Sequence, residues 1–135
     1  MPDIMKKAQE KGVKIHLPSD YVCADKFAED AKTMIRTNTE GIDDGWLGLD
    51  IGPKTIAANA EVIRRSKTIF WNGPQGVFEI PAFAQGSLSM LDEIIAATQK
   101  GFMTIIKIKK KTMFFLAKVA RKTITLKVNS HSSQN

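Results

Sequence analysis

GWLGLDIGPKTIAANAEVIRRSKTIFWNG, residues 45–73, carries the pattern that decides the fold. Residues 45–53 are an apolar run bounded by glycines, which suits a strand buried on both faces of a parallel sheet. Pro53 can open a helix, because its fixed φ is already helical and the N–H it lacks would go unpaired in a first turn. Ile56, Ala60 and Ile63 then fall at helical spacing, and the helix runs to about Arg65. Residues 67–73, KTIFWNG, read as the next strand. Strands alternating with a helix in this way belong to an α/β domain with a parallel sheet.

The same alternation extends in both directions. Downstream, Pro81 opens a helix in which Ala84, Leu88, Leu91, Ile95 and Thr98 repeat at intervals of four, three, four and three. Gly101 stops it, and FMTII, residues 102–106, is a further strand. Upstream, PDIMKKAQEKG reads as a helix from Pro2 to a stop at Gly12, with Ile4, Met5 and Ala8 on one face. VKIHLP, residues 13–18, reads as a short strand. Residues 20–40 leave strand and loop both open. NSHSSQN, residues 129–135, is polar and expected to be disordered.

At 135 residues with 43% hydrophobic composition the chain is long enough for one domain with a real core. The net charge of +6 is unevenly placed. Residues 1–93 hold all 14 acidic residues and 11 of the 20 basic ones, a net −3, whereas 94–135 hold nine basic residues and no acid, a net +9. A single cysteine, Cys23, excludes an intrachain disulfide and a cysteine-based zinc cluster, and reads as a small buried side chain. No apolar run reaches the roughly 20 residues that span a bilayer, and residues 1–12 have no signal-peptide core. The expectation is a soluble, cytoplasmic protein with no membrane partner. His16 and His131 suggest no catalytic pair.

Parallel α/β sheets bind ligands beyond the carboxyl ends of their strands, so the loops after GLDIG and IFWNG are where chemistry is to be sought. WNGPQGVFE, residues 71–79, packs Gly73, Pro74 and Gly76 between an aromatic strand end and one carboxylate. Such a loop has a fixed path and lets a flat ligand approach the main chain closely. Asn72 and Glu79 remain as the polar groups that could bind it, and a carboxylate accepting from neighbouring hydroxyls is a usual way to hold a ribose.

WNGPQGVFE, followed by AFAQG at 82–86 and preceded by GWLGLDIGP at 45–53 and KGVKIHLPSDYVCADKF at 11–27, closely resembles the C-terminal, nucleotide-binding domain of phosphoglycerate kinase. The resemblance covers about residues 1–106. It implies an incomplete Rossmann-like, three-layer α/β domain with a mostly parallel sheet, and a divergent basic tail at 107–135. The family reaction is reversible phosphoryl transfer between 1,3-bisphosphoglycerate and magnesium ADP, giving 3-phosphoglycerate and ATP. By the resemblance, Gly48 lies against the adenine site, Asn72 and Pro74 belong to the nucleotide-contacting loop, and Glu79 binds the ribose hydroxyls. Close strand packing accounts for Gly48 equally well. Asp25 and Lys26 match the pattern without a chemical role. A monomer is implied, with 3-phosphoglycerate a ligand only where the family's other domain is present.

The resemblance breaks where the family has a Gly-Gly-Gly-Asp-Thr loop that receives phosphates and helps hold magnesium. Here Lys107, Ile108, Lys109, Lys110 and Lys111 stand in those places, so an ammonium at Lys110 replaces the metal-binding carboxylate. Magnesium binding is expected to fail, and no residue of this chain is assigned to metal or to catalysis. The abrupt change points to altered reading of an AT-rich gene more than to a tuned site. The expectation is an inactive fragment with at most a weak ATP/ADP site. Two other readings stand beside it. The basic segment 100–129, with Phe114, Phe115 and Leu116 among its lysines, could bind nucleic acid nonspecifically or anionic lipid, although no base-reading motif is present. Alternatively the chain does not fold stably, because missing strands leave edges open.

Overall fold

The computed structural model describes residues 2–107. In chain order the elements are α1 (Pro2–Glu10), β1 (Asp20–Ala24), β2 (Thr33–Thr37), β3 (Leu47–Ile51), α2 (Pro53–Arg65), β4 (Thr68–Asn72), a 3-10 turn (Pro81–Phe83), α3 (Gln85–Gln99) and β5 (Met103–Lys107). The tail reading, the basic segment beyond 107 and the lysine that replaces the family aspartate all lie outside the described residues.

β4 and β5 form a parallel pair, in register from Thr68 opposite Met103 to Asn72 opposite Lys107. The connection between them contains α3, the kind of crossover a parallel pair requires. The other three strands are antiparallel, in the order β2-β1-β3. Residues 45–53 therefore do not enter a parallel sheet buried on both faces. Leu47 and Gly48 are exposed and only Leu49, Asp50 and Ile51 are buried. Residues 25–32 alone link β1 to β2, too few for a crossover, so β2 turns back on β1; residues 38–46 then carry the chain past β1 to its other edge, where β3 enters running opposite to β1. The 20–40 stretch resolves into two strands.

VKIHLP, read as a strand, joins no ladder among the described residues, and Val13 and Leu17 are each 60% exposed. A strand needs a neighbour to take its backbone hydrogen bonds, and none of the described segments supplies one. α1 forms with Gly12 past its end at φ 64°, as its stop signal predicts, but buries no residue; Ile4 and Met5 face solvent.

α2 and α3 pack against each other and against the strands. One core joins Ile63 of α2, Trp71 of β4, Phe78, and Leu91, Ile94 and Ala97 of α3. A second gathers Ala24, Leu49 and Phe83, where β1 and β3 meet the 3-10 turn. Pro81 opens that turn and not α3 itself, which begins at Gln85. The buried line of α3 is accordingly Ser87, Leu91, Ile94 and Ala97, while Leu88 and Ile95 pack at its margin and Thr98 is exposed. The far face of the β4–β5 pair carries Phe70, Met103 and Ile105, all exposed. Among the described residues, helices cover one face of that pair only.

Candidate functional site

The loop between β4 and the 3-10 turn is held from four directions. The Gly73 N–H donates to the Lys107 carbonyl at 3.2 Å, and the Val77 N–H to the Leu49 carbonyl at 2.8 Å. The Ser87 hydroxyl, fully buried at the start of α3, donates to the Gln75 carbonyl at 2.5 Å. Phe78 is buried in the core below. Gly73 and Gly76 take φ of 85° and 59°, which L side chains adopt only under strain. The polypeptide path is thus fixed by hydrogen bonds made by its own backbone, and the exposed side chains Asn72 and Glu79 project from a braced support.

Asn72 closes β4 opposite Lys107 in the ladder, at the carboxyl end of the parallel pair. Pro74 is half-buried. Gly48 is exposed on β3, one residue before the Leu49 carbonyl that receives Val77. A Cβ at Gly48 would meet only the Ile42 Cδ1, at 2.9 Å, the movable end of a side chain, so strand packing makes a weak demand for glycine there. The structure therefore brings the Gly48 strand and the Asn72 to Glu79 loop together through Leu49 and Asp50. A groove of about 540 Å³ runs elsewhere, between α2 and α3, lined by Pro53, Ile56, Arg64, Gln85 and Glu93 among others, and includes none of these four residues. Arg64 and Glu93 form an ion pair across its wall.

Two buried carboxylates anchor the surroundings, and neither stood out in the sequence as a site residue. Asp50 receives the Ile51 N–H on Oδ1 at 2.8 Å and the Gly86 N–H on Oδ2 at 2.7 Å. Burial pushes its carboxyl above the usual range, against the pull of those two donors. Asp20 receives the Lys54 and Thr55 N–H groups at 2.9 and 2.8 Å and the Thr55 hydroxyl at 2.6 Å. Burial pushes Asp20 up too, but the Thr55 hydroxyl and the two amides outweigh it and hold the carboxyl below its ordinary value. The signal available in advance was an ionisable residue inside each otherwise apolar strand. The Cys23 thiol, fully buried, is raised by burial, as befits a packed side chain. The Trp71 Nε1 is buried with no hydrogen-bond partner among the described residues.

A family model for phosphoglycerate kinase matches residues 1–123. The chain belongs to the phosphoglycerate kinase family. It is 63% identical over 106 residues to the phosphoglycerate kinase of Sterkiella nova, covering 78% of this chain and 25% of that one. It is 53% identical over 104 residues to human phosphoglycerate kinase 1, covering 77% and 25%. The solved phosphoglycerate kinase of Coxiella burnetii superposes with a TM-score of 0.67 at 30% identity, over 90% of this chain and 35% of that one. The chain thus spans about a quarter of the length of these relatives by sequence.

The family uses adenine nucleotide and magnesium in general. By sequence Lys110 stands where the family has its metal-binding carboxylate, a position outside the described residues; among the described residues no three of His, Cys, Asp and Glu gather. No described helix is long and apolar enough to cross a membrane.

Proposed function

We propose that residues 1–106 are part of a nucleotide-binding domain that retains the adenosine half of a phosphoglycerate kinase site, and that 107–135 is a divergent basic tail. Gly48 lies against the base, Asn72 and Pro74 belong to the loop that contacts the nucleotide, and Glu79 accepts from the ribose hydroxyls. The observation that supports this most is the braced loop: the Gly73 and Val77 amides bind β5 and β3 and the Gln75 carbonyl binds α3, leaving Asn72 and Glu79 exposed on a braced path. Preorganisation of that kind lowers the ordering entropy a ligand must overcome.

In a complete enzyme such a site serves transfer between 1,3-bisphosphoglycerate and ADP. Phosphoryl transfer depends on positioning both substrates and neutralising the charge between them. On this reading the chain supplies one nucleotide surface and carries Lys110 where the family has its metal-binding carboxylate, so by itself it binds nucleotide weakly and does not turn over. 3-Phosphoglycerate binds only where the other domain is present.

Isothermal titration of the monomeric chain with ADP, with and without magnesium, tests the reading. Binding that ignores magnesium is expected, and Glu79→Ala should weaken it about tenfold, the worth of a charged hydrogen bond. Affinity that Glu79→Ala leaves unchanged removes Glu79 from the site; absence of binding removes the site.

A further inference from the structure

We infer that Asp50 is the positioning residue of this nucleotide surface, the group that sets the loop carrying Asn72 and Glu79 against the strand carrying Gly48. The inference rests on the nucleotide reading above for its function, while its geometry stands independently.

Asp50 is 4% exposed, so it cannot itself touch a ligand. Its carboxylate lies where three segments meet. On β3, its own strand, Oδ1 takes the Ile51 N–H; from α3, Oδ2 takes the Gly86 N–H. From the loop, Gly76 rests on it: a Cβ there would stand 2.5 Å from Oδ1 and 2.7 Å from the Leu49 carbonyl. A Cβ at Gly86 would run into the same carboxylate. Both glycines are therefore required by one side chain, and the loop and the helix close around it.

The chemistry admits few substitutes. Each carboxylate oxygen serves a different N–H, and an asparagine has one acceptor oxygen, so one donor must face an NH₂ group. An apolar residue would leave the Gly86 N–H buried without a partner. The fold keeps a carboxylate in a place where burial disfavours its charge. Two donors on opposite sides explain the choice, because only an ionised or fully accepting group can bind both and hold them at a fixed separation. The neighbouring Ser87 hydroxyl, bound to the Gln75 carbonyl, ties α3 to the loop a second time. Displacing Asp50 should thus tilt the loop relative to β3 and separate Gly48 from Asn72 and Glu79 without removing any ligand-contacting group.

The test is Asp50→Asn in the full chain, compared with Thr55→Val, which removes the hydroxyl bound to Asp20 at the β1–α2 joint and lowers stability away from the loop. Amide hydrogen exchange in nucleotide-free protein should accelerate at least roughly tenfold at Val77 and Gly86 in Asp50→Asn, and stay unchanged at Val22 and Ile35 of the β1–β2 ladder. ADP affinity should fall roughly tenfold or more, the usual scale for losing a supporting partner of a site, while Thr55→Val retains it. Unchanged exchange at Val77 and Gly86 overturns the positioning role. Accelerated exchange with unchanged affinity overturns its link to nucleotide. A wild-type chain that binds no ADP removes the nucleotide reading, and exchange alone then decides whether Asp50 sets the loop. Should Asp50→Asn not fold, Gly76→Ala presses on the same contact from the loop side, and the same exchange pattern is expected.

Discussion

Asp20 and Asp50 occupy matching positions in two joints of the molecule, yet their environments act on them in opposite directions. Each lies in a strand, each is buried, and each binds the first turn of a helix more than thirty residues further along the chain. Asp20 collects three donors and the nearby charge of Lys54, and its carboxyl is held below the ordinary value. Asp50 collects two, and burial wins. The sign follows a balance, with burial weighing more heavily on Asp50 and more donors aimed at the charged form of Asp20. The first joint is a polar clasp between β1 and α2, away from the candidate site. The second spends some stability to fix the loop that carries it.

The largest expected effect breaks the clasp. Asp20→Ala leaves the Lys54 and Thr55 amides and the Thr55 hydroxyl without their acceptor, and should cost about 3 kcal/mol or more in urea unfolding. A loss below about 1 kcal/mol would show that water replaces the carboxylate freely, and the contrast with Asp50 would lose its basis. Next in size, Gly86→Ala forces a Cβ into the Asp50 carboxylate and within 2.7 Å of Ile51 Cγ1, so about 2 kcal/mol of stability should be lost to overpacking. Gly48→Ala meets only the tip of Ile42 and should cost less than about 1 kcal/mol. Matching losses at the two glycines would mean that the Asp50 joint is no tighter than the exposed strand surface.

These contrasts also mark what the sequence could tell. Pro53, Ile56, Ala60 and Ile63 announce α2 because proline geometry and helical spacing are local properties. β4 and β5 were legible as short apolar runs beside a single glycine, Gly73 after the one and Gly101 before the other. Partners are not local. Nothing in GLDIG states that it pairs antiparallel with β1, and nothing in VKIHLP states that no described strand lies beside it. α3 was displaced by four residues because Pro81 serves a 3-10 turn as well as it serves an α-helix. At the site, Asn72, Pro74 and Glu79 stood out by their loop and by resemblance. Asp50 lay inside a quoted motif and did not, because its role depends on Gly76 and Gly86, 26 and 36 residues away, approaching it at once.

The smallest expected effect separates the two carboxylates by pH. For Asp20 the folded-state pKa lies below the unfolded one, so its stabilisation is complete above the unfolded value of about 3.9 and is lost as pH falls through the folded value. For Asp50 the folded pKa lies above the unfolded one, so the folded form takes up its proton first. Stability should therefore rise as pH is lowered through the folded Asp50 value, level off near the unfolded value, and then decline as Asp20 protonates. Urea midpoints measured across this range should show a shallow maximum on the acid side of neutrality. Asp50→Asn should remove the rise and keep the decline, whereas Asp20→Asn should do the reverse. A maximum that persists in Asp50→Asn would assign the rise to another group. It would also mean that the charge on Asp50 costs the fold little, so the carboxylate could no longer be read as a buried group retained for the loop it holds.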